Sequence, residues 1–202
     1  IHGGEINVGD EITEKSRRTG ETTTFTSSKN IDYSPNALDR SIVNVSQIET
    51  VLREYRDSIY TKMYPERLSE NESDNWRYIP KTLVFAKDDN HADQIVKIAK
   101  KVFGEKFANG QLPENYVRKI TYSAGDSNAL IRDFRNEKDF RIAVTVTLVA
   151  TGTDIKPLEV VFFMRDINSE VLYTQMKGRA CRYISDDKLK EVTPNAQTKE
   201  CY

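Results

Sequence analysis

Cysteine and histidine are scarce, with two of each in 202 residues. Cys181 and Cys201 make neither a metal-type cluster nor the framework of a secreted disulfide domain, and they read as reduced thiols of a cytosolic protein. His2 and His91 are too few and too scattered for a zinc site or a triad with a nearby nucleophile. None of the nine glycines is followed by lysine, so the Gly-x-x-x-x-Gly-Lys-Ser/Thr loop that cradles phosphates is missing. The Gly-x-Gly-x-x-Gly dinucleotide fingerprint is missing too. No Glu-x-Lys occurs, which leaves a metal-dependent nuclease pair without a home. The one Asp-Glu pair, Asp10-Glu11, follows Asn7-Val8-Gly9 instead of an apolar strand and reads as solvated, so no metal site is expected in this chain. No apolar run approaches the roughly 18 residues of a membrane span. Neither sign of charge prevails: Lys and Arg total 30 against 31 Asp and Glu, so any anion site must be local. The first residue is Ile1 and no signal segment follows it, so the chain is expected to be a piece of a longer protein.

What is present divides into three regions, 1–45, 46–79 and 80–202. The first is polar and rich in Thr, Ser and Asn. Two loosely alternating runs, 11–15 and 21–25, flank Arg17-Arg18-Thr19-Gly20 and suggest a hairpin whose turn uses Gly20 for positive φ; a solvated loop fits the same pattern. The second region opens on Ser46 with Glu49 three residues later, a capping-box pattern. Ile48, Val51, Leu52, Tyr55, Ile59 and Met63 recur at helical spacing as one apolar stripe, and Pro65 fits a stop. Residues 69–74 are uniformly polar and are expected to be a mobile connector.

From Pro80 the texture alternates between strand and helix. Residues 81–86 form a short apolar run of the kind found in buried parallel strands. Asp88, Asp89 and Asn90 offer N-caps for a helix whose face is Ala92, Ile95, Ile98, Ala99, Val102 and Phe103, closed by Gly104. Further strands are expected at 119–123, 140–146 and 158–164. A short helix should carry Leu130, Ile131 and Phe134, and a last one should run from Asn168 or Ser169 to about Cys181. This order implies an α/β fold: a parallel sheet with helices on both faces. Sites in such sheets favour the carboxyl ends of the strands. That directs attention to residues 87–90, 124–126, 148–157 and 165–169.

Two constellations could carry chemistry. The first is Gly152-Thr153-Asp154, just past a buried strand. Glycine allows close backbone approach, and the carboxylate can accept from a ribose hydroxyl or orient a water. Alone it reads as ordinary turn chemistry. The second is Gln175-Met176-Lys177-Gly178-Arg179-Ala180-Cys181-Arg182. On a continuous helix Arg179 and Arg182 share a face and can converge on one anion. Alone, the pair reads as two exposed arginines on an amphipathic helix. The two together, with a parallel sheet between them, favour an anion site.

These residues resemble the second RecA-like lobe of superfamily 2 helicases, a P-loop NTPase-like fold that lacks the P-loop. Residues 81–86 resemble the motif IV strand, 147–155 resemble motif V, and Gln175-x-x-Gly178-Arg179-x-x-Arg182 matches motif VI. The wording of 81–92 and 165–169, and Asp39-Arg40-Ser41-Ile42-Val43-Asn44 before the Ser46 helix, is similar to the motor region of type I restriction enzyme R subunits. Thr153 stands where that family commonly has valine.

The resemblance implies half of an ATP site, with ATP and Mg2+ held mainly by a first RecA-like lobe outside this sequence. Arg182 is then the arginine finger and Arg179 its partner on the phosphates. Gln175 and Gly178 would contact or couple to the nucleotide, and Gly152 and Asp154 would line the cleft. Double-stranded DNA would cross Thr147, Thr151 and Thr153, and a second patch of Ser123, Gly125, Ser127 and Asn128. Methyltransferase and specificity subunits of a restriction-modification complex are the implied partners, the location cytoplasmic, and no membrane is involved. The chain by itself is expected to be inactive. The second lobe of another superfamily 2 translocase, or a non-catalytic parallel-sheet interaction module, fits the residues less closely.

Overall fold

Alternating β-branched residues favour extended chain over helix, and the described residues of the first region include five short strands. In the computed structural model, which describes residues 4–6, 9, 11–15, 22–26, 31–33, 42–120, 127–146, 154–178 and 181–202, these strands are β1 (Gly4–Ile6), β2 (Glu11–Lys15), β3 (Thr22–Thr26), β4 (Ile31–Tyr33) and β5 (Ile42–Asn44). β2 and β3 pair antiparallel with Glu11 opposite Thr26 and Lys15 opposite Thr22. The two alternating runs therefore do form a hairpin, although Gly20 and the rest of its turn lie outside the described residues. β5 joins the other edge of β2, and β1 pairs with β4.

The apolar stripe of the second region forms helix α1 (Val45–Ser58), whose last turn widens to π-helical geometry over Ile59–Met63. Pro65 starts a 3₁₀ turn (Pro65–Arg67), consistent with proline's preset φ at the first position of a turn. Residues 69–74 are not simply a connector, because a short helix, α2 (Glu72–Arg77), begins inside them. Asn75 explains the order: it is 2 % exposed, and its side-chain amide accepts from the Ser69 N–H at 2.9 Å and donates to the Ser69 carbonyl at 2.8 Å. The buried amide closes the loop onto the helix.

The third region contributes β6 (Lys81–Phe85), α3 (Asp89–Gly104), β7 (Val117–Lys119), α4 (Ser127–Asn136), β8 (Ile142–Thr145), β9 (Leu158–Phe163), α5 (Glu170–Lys177) and α6 (Asp186–Val192). β7 ends at Lys119, the first residue of the expected strand, whose residues 121–123 lie outside the described residues; Tyr116 and Val117, both fully buried, anchor its start. The four strands form one parallel sheet in the order β7-β8-β6-β9. Side chains alternate across it. Val84, Ile142, Val144 and Val160 face α1 and α3, whereas Leu83, Phe85, Ala143 and Leu158 face Phe134 of α4 and Met176 of α5. Helices thus cover both faces, as a RecA-like α/β lobe requires.

Asp88 caps α3 by accepting from the His91 N–H at 2.8 Å. Gly104 does not close that helix through positive φ. It is the last helical residue, and a Cβ there would stand 3.1 Å from the Gly110 carbonyl oxygen. Glycine is needed for close approach to the following turn, and it is Gly110 that holds positive φ, at 69°.

Charged side chains also lock the core. Arg141, fully buried, donates to the carbonyls of Ile79, Lys138 and Val192 and to the Thr193 hydroxyl, tying the end of α6 to the sheet. Arg67 and Glu159, 1 % and 0 % exposed, meet at 2.7 Å. Arg67 also donates to the Thr198 carbonyl at 2.8 Å and lies over the Tyr64 ring. The chain's last residues follow β9, with Tyr202 N–H donating to the Glu159 carbonyl and Val161 N–H to the Tyr202 carbonyl. Among the described residues, no helix is long and apolar enough to cross a membrane.

Candidate functional site

The segment entering β9 is shaped by Ile155, which is 2 % exposed and packs in the cluster with Met176 and Leu158. A turn closed by the Leu158 N–H on the Ile155 carbonyl brings Asp154 beside the amino-terminal end of β9. From the opposite end of the same strand, α5 follows the carboxyl end of β9. Met176 is the only side chain described as buried on it; Val171 and Tyr173 are 67 % and 43 % exposed, and Gln175 is exposed. α5 stops at Lys177, and the Gly178 N–H closes its last turn on the Thr174 carbonyl at 2.9 Å.

The helix therefore ends earlier than expected, and Arg182 lies beyond it in irregular chain. Glycine's low helix propensity at Gly178 accounts for the stop. The premise that Arg179 and Arg182 share one helical face does not hold for Arg182. Arg179 is outside the described residues, as are Gly152, Thr147, Thr151, Thr153, Ser123 and Gly125. Ser127 and Asn128 form the first turn of α4, where Asn128 is exposed.

What the fold brings together is Arg182 and Asp154. The Arg182 guanidinium stands 3.4 Å from Asp154 Oδ1, with the side chains 50 % and 34 % exposed. Oδ1 itself is buried and has no hydrogen-bond partner. Lys156 is 3.9 Å from the other carboxylate oxygen. The pair sits beside the amino-terminal end of β9 and not at the carboxyl ends of the strands, because Asp154 lies just ahead of the turn from which β9 starts at Leu158.

Lys199 was not legible as part of this arrangement. Its ammonium donates to the Arg182 carbonyl at 2.5 Å and to the Lys156 carbonyl at 2.6 Å, so it clamps the two segments that carry Arg182 and Asp154. Burial pulls its pKa below the ordinary lysine value. A lone lysine near a chain end carries no sequence signal for this role. Next to the clamp is a concavity of about 440 Å³ whose wall includes Arg135, Lys156, Lys188, Glu191 and the 85 % exposed Tyr183. Cations outnumber carboxylates on that wall, which makes the concavity itself favourable to anions.

At the carboxyl ends, Arg165 reaches the Val146 carbonyl at 3.3 Å, and Lys119 pairs with Asp89 and Asp93 at 3.1 and 2.6 Å. The His91 ring nitrogen Nδ1 accepts from the Lys87 N–H at 3.3 Å, and burial holds its pKa down at about 4. Among the described residues, no group of three or more His, Cys, Asp or Glu side chains converges as a metal site.

A parallel sheet covered on both faces is consistent with a RecA-like helicase lobe, and Asp154 and the post-helical Arg182 meet beside it. The family model for the helicase conserved C-terminal domain matches residues 66–184, and the chain belongs to that family. Over 107 residues it is 40 % identical to the type I restriction enzyme EcoKI endonuclease subunit of Escherichia coli (strain K12). That match covers 50 % of this chain but 9 % of the relative.

Proposed function

We propose that this chain is the second RecA-like lobe of a type I restriction enzyme R subunit, and that it completes an inter-lobe ATP site for translocation on double-stranded DNA. The Asp154–Arg182 pair carries the reading. It joins two distant segments through one ion contact and leaves half of the guanidinium open to solvent, where a neighbouring lobe would bring a nucleotide. ATP, held with Mg2+ mainly by the first lobe, supplies the phosphoryl group whose transfer drives the motor.

The residues present fit such a guest. Asp154 Oδ1 is a buried acceptor lacking a hydrogen-bond donor, suited to a ribose hydroxyl or a bound water. Arg182 offers a permanent planar cation, which is what charge developing on phosphate oxygens calls for. Asp154 orients that cation while the nucleotide is away, and Lys199 fixes its backbone. Arg179, Gln175, Gly178 and Gly152 would complete the nucleotide side. The almost unburied face of α5 suits contact with the first lobe. DNA would track Thr147, Thr151, Thr153, Ser123, Gly125, Ser127 and Asn128 through its backbone, without reading sequence. Methyltransferase and specificity subunits would supply recognition. The chain alone should neither hydrolyse ATP nor cut DNA.

The test is ATP turnover by the full subunit. Arg182→Ala should lower kcat by about 10³-fold or more, the range of arginine fingers, with an unchanged far-UV spectrum. Near-normal turnover in that variant discards the assignment.

A further inference from the structure

The two cysteines are the only sulfhydryls in the chain, both are exposed, and no disulfide joins them. The fold nevertheless brings them to one place. Tyr202 bonds to Glu159 and Val161 of β9 as a strand residue does, and the side chains leading into it point to opposite sides. Contacts fix which side is which. Tyr202 stacks edge-on against Tyr64 at 5.0 Å, its hydroxyl reaches the Met63 carbonyl at 2.8 Å, and it also meets the Glu200 carboxylate at 3.2 Å. The even-numbered residues therefore face the end of the long-helix segment. Lys199 points the other way, onto the carbonyls of Arg182 and Lys156. Cys201 shares the Lys199 side, and Cys181 is the immediate neighbour of Arg182. Cys181 is a close enough neighbour to act on the Cys201 thiol electrostatically.

We propose that Cys181 and Cys201 form an oxidative modification site: a dithiol that a small disulfide converts to an intramolecular cross-link, tethering the Arg182 segment to the strand-like tail beside β9. The exchange balances. One protein thiolate attacks a sulfur of oxidised glutathione, and one glutathione leaves. The second protein thiolate then attacks the mixed disulfide on the protein sulfur, and the second glutathione leaves. Two protein thiols lose two electrons and two protons, and one glutathione disulfide becomes two thiols. Partial burial pushes the Cys201 thiol up, while the Lys199 ammonium beside it pulls the other way. Since the thiolate is the reacting form, the cross-link should form faster as pH is raised above neutrality. This inference stands whether or not the ATP-site reading is correct, because it depends only on the placement of the two sulfurs.

The experiment treats the chain with oxidised glutathione, quenches in acid, and reads intact mass and alkylatable thiols. The expected product is a monomer lighter by two hydrogen atoms, with neither thiol open to alkylation and one tryptic peptide pair joined through Cys181 and Cys201. Cys181→Ser and Cys201→Ser should each stop at a glutathione adduct. A wild-type chain that also stops at mixed disulfides, or that cross-links only between molecules, overturns the proposal.

Discussion

Arg67→Met is the perturbation whose outcome the structure specifies most sharply. Arg67 and Glu159 meet at 2.7 Å with 1 % and 0 % exposure, ninety-two positions apart in sequence. Removing the guanidinium strands the Glu159 carboxylate in the core. It also takes a donor from the Thr198 carbonyl and a cation from the Tyr64 face. Breaking one side of a buried pair costs about 3–5 kcal/mol, whereas replacing both partners with well-packed apolar residues is often close to neutral. At about 2–4 °C per kcal/mol for a chain of this size, the single variant should melt on the order of 10 °C lower. The double variant Arg67→Met/Glu159→Leu should recover most of that loss, which a double-mutant cycle reads as a coupling of about 2–3 kcal/mol. Thermal unfolding followed by circular dichroism measures all four corners. Arg67 Nε, Nη1 and Glu159 Oε2 have no hydrogen-bond partner, so the native pair is not fully compensated and the double variant has room to recover. A single variant that loses less than about 1 kcal/mol, or a double variant no better than the sum of its parts, would refute the reasoning. Because Arg67 also holds Thr198, the single variant should release the tail and speed alkylation of Cys201.

His91 predicts a pH window. Its folded pKa is about 4 against an ordinary 6.5, so the fold prefers the neutral ring. Its stabilising effect is intact above pH 6.5 and is lost as pH falls toward 4, by at most about 3 kcal/mol. His91→Asn should flatten denaturant midpoints across that window, and an unchanged pH slope rejects it. Glu105 accepts from Arg53 at 2.5 Å and Arg56 at 2.8 Å, and those hydrogen bonds pull its pKa down to about 2. The carboxylate is partly solvated, so Glu105→Gln should cost only about 0.5–1 kcal/mol in low salt and less near 1 M salt. Equal losses in both salts would mean packing, not charge, joins α1 to α3. Arg141→Met should cost on the order of 3 kcal/mol by orphaning the Ile79 and Val192 carbonyls. Hydrogen exchange should show α6 loosened first; uniform loosening would deny the tie between α6 and the sheet.

Local pattern was enough wherever the determinant was local. The apolar runs at 81–86, 140–146 and 158–164 predicted strands, found at 81–85, 142–145 and 158–163, and the stripe from Ile48 to Met63 predicted the long helix that begins as α1, because burial on one face imposes its own period. The order of strands and helices, with short connections, then argued for a parallel sheet with helices on both sides. The motif residues around Asp154 and Arg182 were recognisable for the same reason: they lie in short contiguous strings. What required tertiary structure were the decisions made between distant segments. The short helix α2 exists because Asn75 is buried against Ser69, although its residues look like a polar connector. Arg67 finds Glu159, Lys199 clamps Arg182 to Lys156, and Asp154 receives Arg182 at the amino end of β9. No residue in those pairs carries a local signal of its partner. Sequence periodicity reports which way a side chain faces, but a buried charge is tolerable only where the folded chain supplies its counter-charge, and that supply is settled by packing alone.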